Sequence, residues 1–382
     1  FWTATAYNED DKTPIALIGQ YSLADPYDVK FTSIRFNEPN VKGSNQPQII
    51  RTPDGYIHVF IGVTYDIGNP NLAPGKLRYY RSEKPEDIST LIDRTELIPT
   101  EPYSEFHLRM NVGISSDGDR MALVILAVSA DGKVPFNTPV VFFGKRQGLD
   151  FIFQNPMSYE KQMGFFYPQV AVTNEGVVIV GEVWDKKGLY PTRLIHIDYD
   201  GKLLHTEDIF DNINGAYFSY DMKPKDTKNW DKLIIYYVKS PEDHNSACHH
   251  EFWEYDTIAQ KLKRLNSLEI PYSYSNAGKW ISVSDKYSVF INNPSMGQIH
   301  LWEGDILGGG EIKRTPIPKT NPFDYGYQAT AYIFTPNVLQ GSLMSKDGIY
   351  FASDCFNKEK KPDKSGPCSF LLWRLVLKHD HQ

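Results

Sequence analysis

Three observations predict an all-β chain folded as a β-propeller of four-stranded antiparallel blades. A hairpin pattern recurs about every 60 residues, 14% of the chain is aromatic with 24 Tyr and 21 Phe, and 27 Gly and 25 Pro punctuate it throughout. Aromatic and β-branched side chains suit the pleated, half-buried surface of a strand, and Gly and Pro supply its turns. Helical period is nearly absent. Over 382 residues, one blade per repeat gives seven blades, with six as the alternative.

Taken in order, residues 1–40 carry strand-like pieces at 15–21 and 29–36, enough for a blade of their own. The first full hairpin covers 48–62 and turns at Asp54-Gly55, the commonest hairpin signal. The form recurs at 112–125 around Asp117-Gly118 and at 169–181 around Glu175-Gly176. Weaker copies lie at 220–237, at 280–291 around Asp285-Lys286, and at 343–353 around Asp347-Gly348. Their turns are separated by 63, 58, about 56, about 54 and 62 residues. A third strand follows several hairpins, at 76–82, 192–198 and 298–302. The outermost strand is least legible, because an edge buries little. No linker or charge block divides the chain. The expectation is therefore a single domain over 1–382, its ring closed between the two chain ends, with 369–377 as one closing strand.

The formal charge of −7 and pI near 5.8 lack the basic excess that phosphate binding requires, so nucleic acid is excluded as a partner. No apolar run reaches the ~18 residues of a membrane helix. Residues 1–6 carry neither a basic leader nor an apolar core, so an export signal would precede this numbering. A secreted or periplasmic monomer is expected.

In a propeller the innermost strands surround a central channel, and the chain leading into them builds the binding face. Those lead-ins hold Asn45 and Gln46, then His107, Arg109 and Asn111, then Tyr167, then Tyr217, and finally Asn276 and Lys279. Amides that bond hydroxyls, rings that stack on sugar faces and cations that hold carboxylates are the mixture a carbohydrate pocket uses. His107 and Arg109 form the most chemical pair. Two apart on an extended strand, they share a face, so an imidazole that moves a proton would stand beside a guanidinium that neutralises a carboxylate. Tyr167 and Tyr217 are further proton carriers. A sialidase Asp box, a Gly-x-Ser-x-Gly elbow, a P-loop and a dinucleotide fingerprint are all missing from the sequence.

The segment 244–250 is the densest run of soft ligands, with Cys248, His249 and His250. With Cys355 and Cys368 it makes the ligand set of a structural zinc, while a Cys355–Cys368 disulfide accounts for two of the same residues.

The stretch Pro47-Gln48-Ile49-Ile50, the hairpin from Asp54 to Phe60 and the following Tyr80-Arg81-Ser82-Glu83-Lys84-Pro85-Glu86-Asp87-Ile88 resemble the BNR-repeat-like propellers that include ulvan lyases and rhamnose-glucuronate-cleaving enzymes. The resemblance is specific over residues 40–200 and architectural beyond. It implies seven blades, secretion, and cleavage of an acidic, uronate-containing polysaccharide by β-elimination, with a His or Tyr base and an Arg that neutralises the uronate. It also implies a structural zinc on Cys248, Cys355, Cys368 and one histidine, His249 among the candidates. Histidines expected at both ends of the first hairpin are replaced here by Asn45-Gln46 and Thr64-Tyr65. Either that departure shifts the expected catalytic set to His107, Arg109 and Tyr167, with Asn45, Gln46, Tyr65, Asn111, Tyr217, Asn276 and Lys279 binding substrate, or the propeller serves another linkage, as a glycoside hydrolase on the same scaffold, or sugar binding without catalysis.

Overall fold

The computed structural model describes residues 1–7, 14–21, 28–36, 41–65, 77–106, 110–129, 138–158, 165–183, 191–210, 220–225, 230–239, 248–270, 279–282, 287–291, 299–316, 344–345, 348–355 and 369–375. Two compact units, Phe1–Asp211 and Asn212–Gln382, make up the chain. Every sheet is an antiparallel meander, no α-helix occurs among the described residues, and the fold is all-β, built of the blade-like antiparallel sheets expected of a β-propeller.

The first unit holds four sheets. Strands β1 (Trp2–Tyr7), β2 (Pro14–Tyr21) and β3 (Val29–Arg35) form the first. The second is β4 (Val41–Arg51), β5 (Ile57–Tyr65), β6 (Leu77–Ser82) and β7 (Leu91–Asp93). In the third, β8 (Tyr103–Phe106) and β9 (Asn111–Ile114) both pair with β10 (Arg120–Ser129), which is followed by β11 (Thr138–Gln147), β12 (Asp150–Phe153) and β13 (Met157–Ser158). The fourth is β14 (Phe165–Val172), β15 (Val177–Val183), β16 (Thr192–Ile197) and β17 (Leu203–Phe210). The expected hairpins and third strands fall within these elements, and β1 adds an N-terminal strand that the sequence pattern did not reveal.

The second unit holds β18 (Tyr220–Pro224), β19 (Lys232–Lys239), β20 (Cys248–Asp256) and β21 (Lys261–Ile270) in one sheet. A second comprises β22 (Lys279–Ser282), β23 (Tyr287–Ile291), β24 (Ile299–Glu303) and β25 (Lys313–Pro316), and a third β26 (Met344–Ser345), β27 (Gly348–Cys355) and β28 (Ser369–Leu375).

Sheets in a propeller bury both faces, so their central strands read as nearly unbroken apolar runs. Strand β5 divides its residues accordingly. Ile57, Val59, Ile61 and Val63 pack with Ala16 and Ile18 of the first sheet, whereas Phe60 packs with Val112, Leu123 and Phe142 of the third. The next seam joins Ala122, Val124 and Val141 to Val170, Ile179 and Ile195 of the fourth sheet. In the second unit Ile234, Tyr236 and Phe252 close on Trp302 and Ile306. Each fully buried large apolar side chain contributes roughly 1.5–3 kcal/mol, so these seams hold the sheets together.

The hairpin turns share a device. Thr52 donates its hydroxyl to Asp54 Oδ1 at 2.6 Å, Ser115 donates to Asp117, and Thr173 donates to the Gly176 carbonyl at 3.0 Å. Each hydroxyl satisfies a turn acceptor that no strand reaches. Gly118 sits at φ +77°, and a Cβ there would lie 2.5 Å from Pro53 Cδ, so the turns of adjacent sheets touch.

Candidate functional site

The first strands of the second, third and fourth sheets run side by side, with β9 between β4 and β14. Gly113 makes the close approach of β9 to β14 practicable, since a Cβ there would meet the Val170 carbonyl oxygen at 3.1 Å.

Two of these strands, β4 and β14, break register at one level. In β4 the pairs Asn45–Gly62 and Gln48–Phe60 leave Gln46 and Pro47 opposite the single residue Ile61. In β14 the pairs Phe166–Glu182 and Gln169–Val180 leave Tyr167 and Pro168 opposite Gly181. A bulge re-aims side chains and is favoured near functional sites, and proline is tolerated within sheets where a bulge removes the need for its missing N–H. Thr3 of β1 donates its hydroxyl to the Pro47 carbonyl, which the bulge takes out of the ladder.

Directly below this level lies a rung of amides. Counting three positions back from the last ladder pair before each turn reaches Gln48 from Arg51–Ile57, Asn111 from Ile114–Met121 and Gln169 from Val172–Val177. All three are buried, at 2%, 2% and 5% exposure. The Asn111 amide nitrogen stands 3.5 Å from Gln169 Oε1, across the seam between sheets. Desolvated amides of this kind must find partners nearby, and the Asn111–Gln169 contact supplies one across the seam.

The residues chosen from sequence distribute as follows. Asn45 and Gln46 lie on β4, Asn111 opens β9, Tyr167 is a bulge residue of β14 and Tyr65 ends β5 opposite Val41. The first four thus come together on neighbouring inner strands. His107, Arg109, Tyr217 and Asn276 lie outside the described residues. Lys279 opens β22, the first strand of its sheet in the second unit.

Sequence reasoning missed two features. Glu182, fully buried on β15, lies in register with Phe166 of the bulged strand and with Thr192 of β16. The bulges themselves were announced by Pro47-Gln48 and Pro168-Gln169, a proline inside an apolar strand pattern followed by the same amide.

For the zinc set, Cys248 and His249 are consecutive on β20, and consecutive strand positions belong to opposite faces of a sheet. A regular β20 therefore offers one ion one of the two. His250, at the parity of Cys248, is 1% exposed and its Nδ1 lies 2.8 Å from the Tyr236 hydroxyl. Cys355 ends β27 opposite Ser369, and Cys368 lies outside the described residues. Among the described residues no group of three His, Cys, Asp or Glu is arranged to hold a metal ion.

No family model matches the sequence, and no curated protein matches it. Among solved structures the chain is similar to a PL25 ulvan lyase bound to -[GlcA(1-4)Rha3S]-, at 11% identity and TM-score 0.46, over 98% of this chain and 91% of that one. It is also similar to the Hadza microbial sialidase Hz136, at 13% identity and TM-score 0.44 over 82% of this chain, and it spans 65% of the sialidase's length. A third likeness, to the Aleuria aurantia lectin, has 8% identity and TM-score 0.39, over 84% of this chain and 95% of the lectin. Among the described residues no helix is long and apolar enough to cross a membrane.

Proposed function

We propose that this chain is a secreted carbohydrate-active protein, which binds an acidic polysaccharide on its inner-strand face and cleaves it by β-elimination next to a uronate. The observation that carries the reading is the shared level at which β4 and β14, the first strands of their sheets, break register, at Gln46-Pro47 and at Tyr167-Pro168. Bulges of this kind re-aim side chains and are favoured next to active sites. The sequence resemblance to uronate-cleaving lyases supports the same chemistry.

The reaction assigns a role to each group. Arg109 neutralises the uronate carboxylate, which acidifies the proton on C5. His107 or Tyr167 takes that proton, and its electron pair forms the C4–C5 double bond as the C4–O bond breaks. The departing oxygen leaves as the hydroxyl of the new chain end once it has received a proton. Asn45 and Gln46 orient the chain through its hydroxyls.

Incubation with a panel of uronate polymers tests this reading. A rise in ultraviolet absorbance from the unsaturated uronate is expected. New reducing ends without that absorbance would indicate hydrolysis, and retention without either would indicate a lectin.

A further inference from the structure

One atom of the amide rung has no hydrogen-bond donor. Asn111 donates its Nδ2 to Gln169 Oε1 at 3.5 Å, the long limit of such a bond, while its own Oδ1 is buried and accepts from nothing among the described residues. The surrounding backbone is poor in donors. On each flanking strand the residue before the amide is a buried proline, Pro47 before Gln48 and Pro168 before Gln169, and a proline has no N–H to give. Toward β14 the backbone atom nearest Gly113 is an acceptor, the Val170 carbonyl oxygen.

An unmet acceptor at 2% exposure costs stability that an apolar side chain would keep, and the rest of β9, Val112, Gly113 and Ile114, is buried and apolar. The rung directly above is where the ladders open, at Gln46-Pro47 of β4 and Tyr167-Pro168 of β14. From this juxtaposition we infer that Asn111 is a specificity-determining residue, whose Oδ1 accepts an O–H from the bound sugar at the level of the two bulges. A site built to bond one hydroxyl rejects the analogue that lacks it, because the buried amide is then left without its donor. Water offers the same O–H chemistry, and the experiment below separates the two sources. The inference rests on the carbohydrate reading of the same face and deepens it, adding recognition of one sugar hydroxyl to recognition of the uronate.

Calorimetry with a glucuronate-containing oligosaccharide and a set of its single-deoxy analogues tests the assignment. Wild-type protein is expected to bind at least one analogue roughly tenfold more weakly than the parent. Asn111→Ala should bind the parent weakly by a similar factor and should no longer distinguish it from that analogue, with a native circular dichroism spectrum. Where Asn111→Ala does not fold, Asn111→Leu, which fills the amide's place with apolar atoms, decides by the same comparison. A variant that binds the parent unchanged and differs only in melting temperature would overturn the inference and leave the oxygen to a trapped water. So would a variant that weakens parent and analogue alike and keeps the wild-type ratio between them, or wild-type protein that binds every analogue as tightly as the parent. Wild-type protein that binds no oligosaccharide would remove the carbohydrate reading and the inference together, whereas unchanged discrimination in the variants would remove only the inference.

Discussion

The Tyr79 hydroxyl lies 2.8 Å from Nδ1 of His58 and also accepts the backbone N–H of Phe151 at 3.2 Å. One phenol thereby ties a central strand of the second sheet to an outer strand of the third. Arg81 strengthens the seam through Asp150 at 2.5 Å, and Arg146 pairs with Asp54 beside it. Both Tyr79 and His58 are fully buried, so loss of the hydroxyl leaves an imidazole nitrogen and an amide without a partner. Tyr79→Phe is expected to lower unfolding free energy by about 1–3 kcal/mol in urea titration, with no change in fold by circular dichroism.

Acid should loosen the same seam. Burial first, and then the guanidinium groups of Arg146 and Arg81, push the pKa of His58 from 6.5 down to about 3, against an opposing pull from Asp54. Between these values the unfolded chain holds a proton that the folded chain rejects. The stability from a neutral His58 is therefore fully present above pH 6.5 and is lost as pH falls toward 3, at up to about 1.4 kcal/mol per pH unit. His196, lowered to about 4 chiefly by burial and then by His205, acts in the same direction. Urea midpoints measured at pH 7 and pH 4.5 should fall, and the fall should be smaller in His58→Gln.

Two glycines with positive φ separate backbone strain from steric overlap. Gly118 at +77° has Pro53 Cδ 2.5 Å from an added Cβ, while Gly148 at +64° has nothing within 4 Å. Gly148→Ala should cost about 1 kcal/mol, the strain alone, and Gly118→Ala clearly more. Equal melting temperatures for the two variants would contradict the contact between turns.

The cysteines distinguish zinc from a disulfide by counting. With three cysteines in the chain, the zinc reading predicts three titratable thiols after denaturation under non-reducing conditions and one equivalent of zinc in the native protein. A Cys355–Cys368 bridge predicts one thiol and no zinc from this set.

Legibility in the sequence followed burial and turn chemistry. Asp54-Gly55 and Asp117-Gly118 announced their hairpins because both glycines adopt φ values, +91° and +77°, that other residues resist. Strand β15 was visible because every residue from Val177 to Val183 is buried. Edge elements such as β7 and β12 bury less and left no pattern, and β1 was hidden because Thr3, Ala4 and Thr5 alternate weakly. At the site, residue types marked Gln46, His107 and Tyr167 as candidates, but the common level of Gln46 and Tyr167 emerges only from the register of two ladders.

The most direct test of the central claim follows ultraviolet absorbance on a glucuronate-containing polymer with wild-type protein and with His107→Ala, Tyr167→Phe and Arg109→Gln. The account predicts a steady rise for the wild type, a loss of roughly 10²–10⁴ in rate for Arg109→Gln and for whichever of the other two removes the base, and native melting curves for all. No rise on any uronate polymer, or undiminished rates in all three variants, would contradict it.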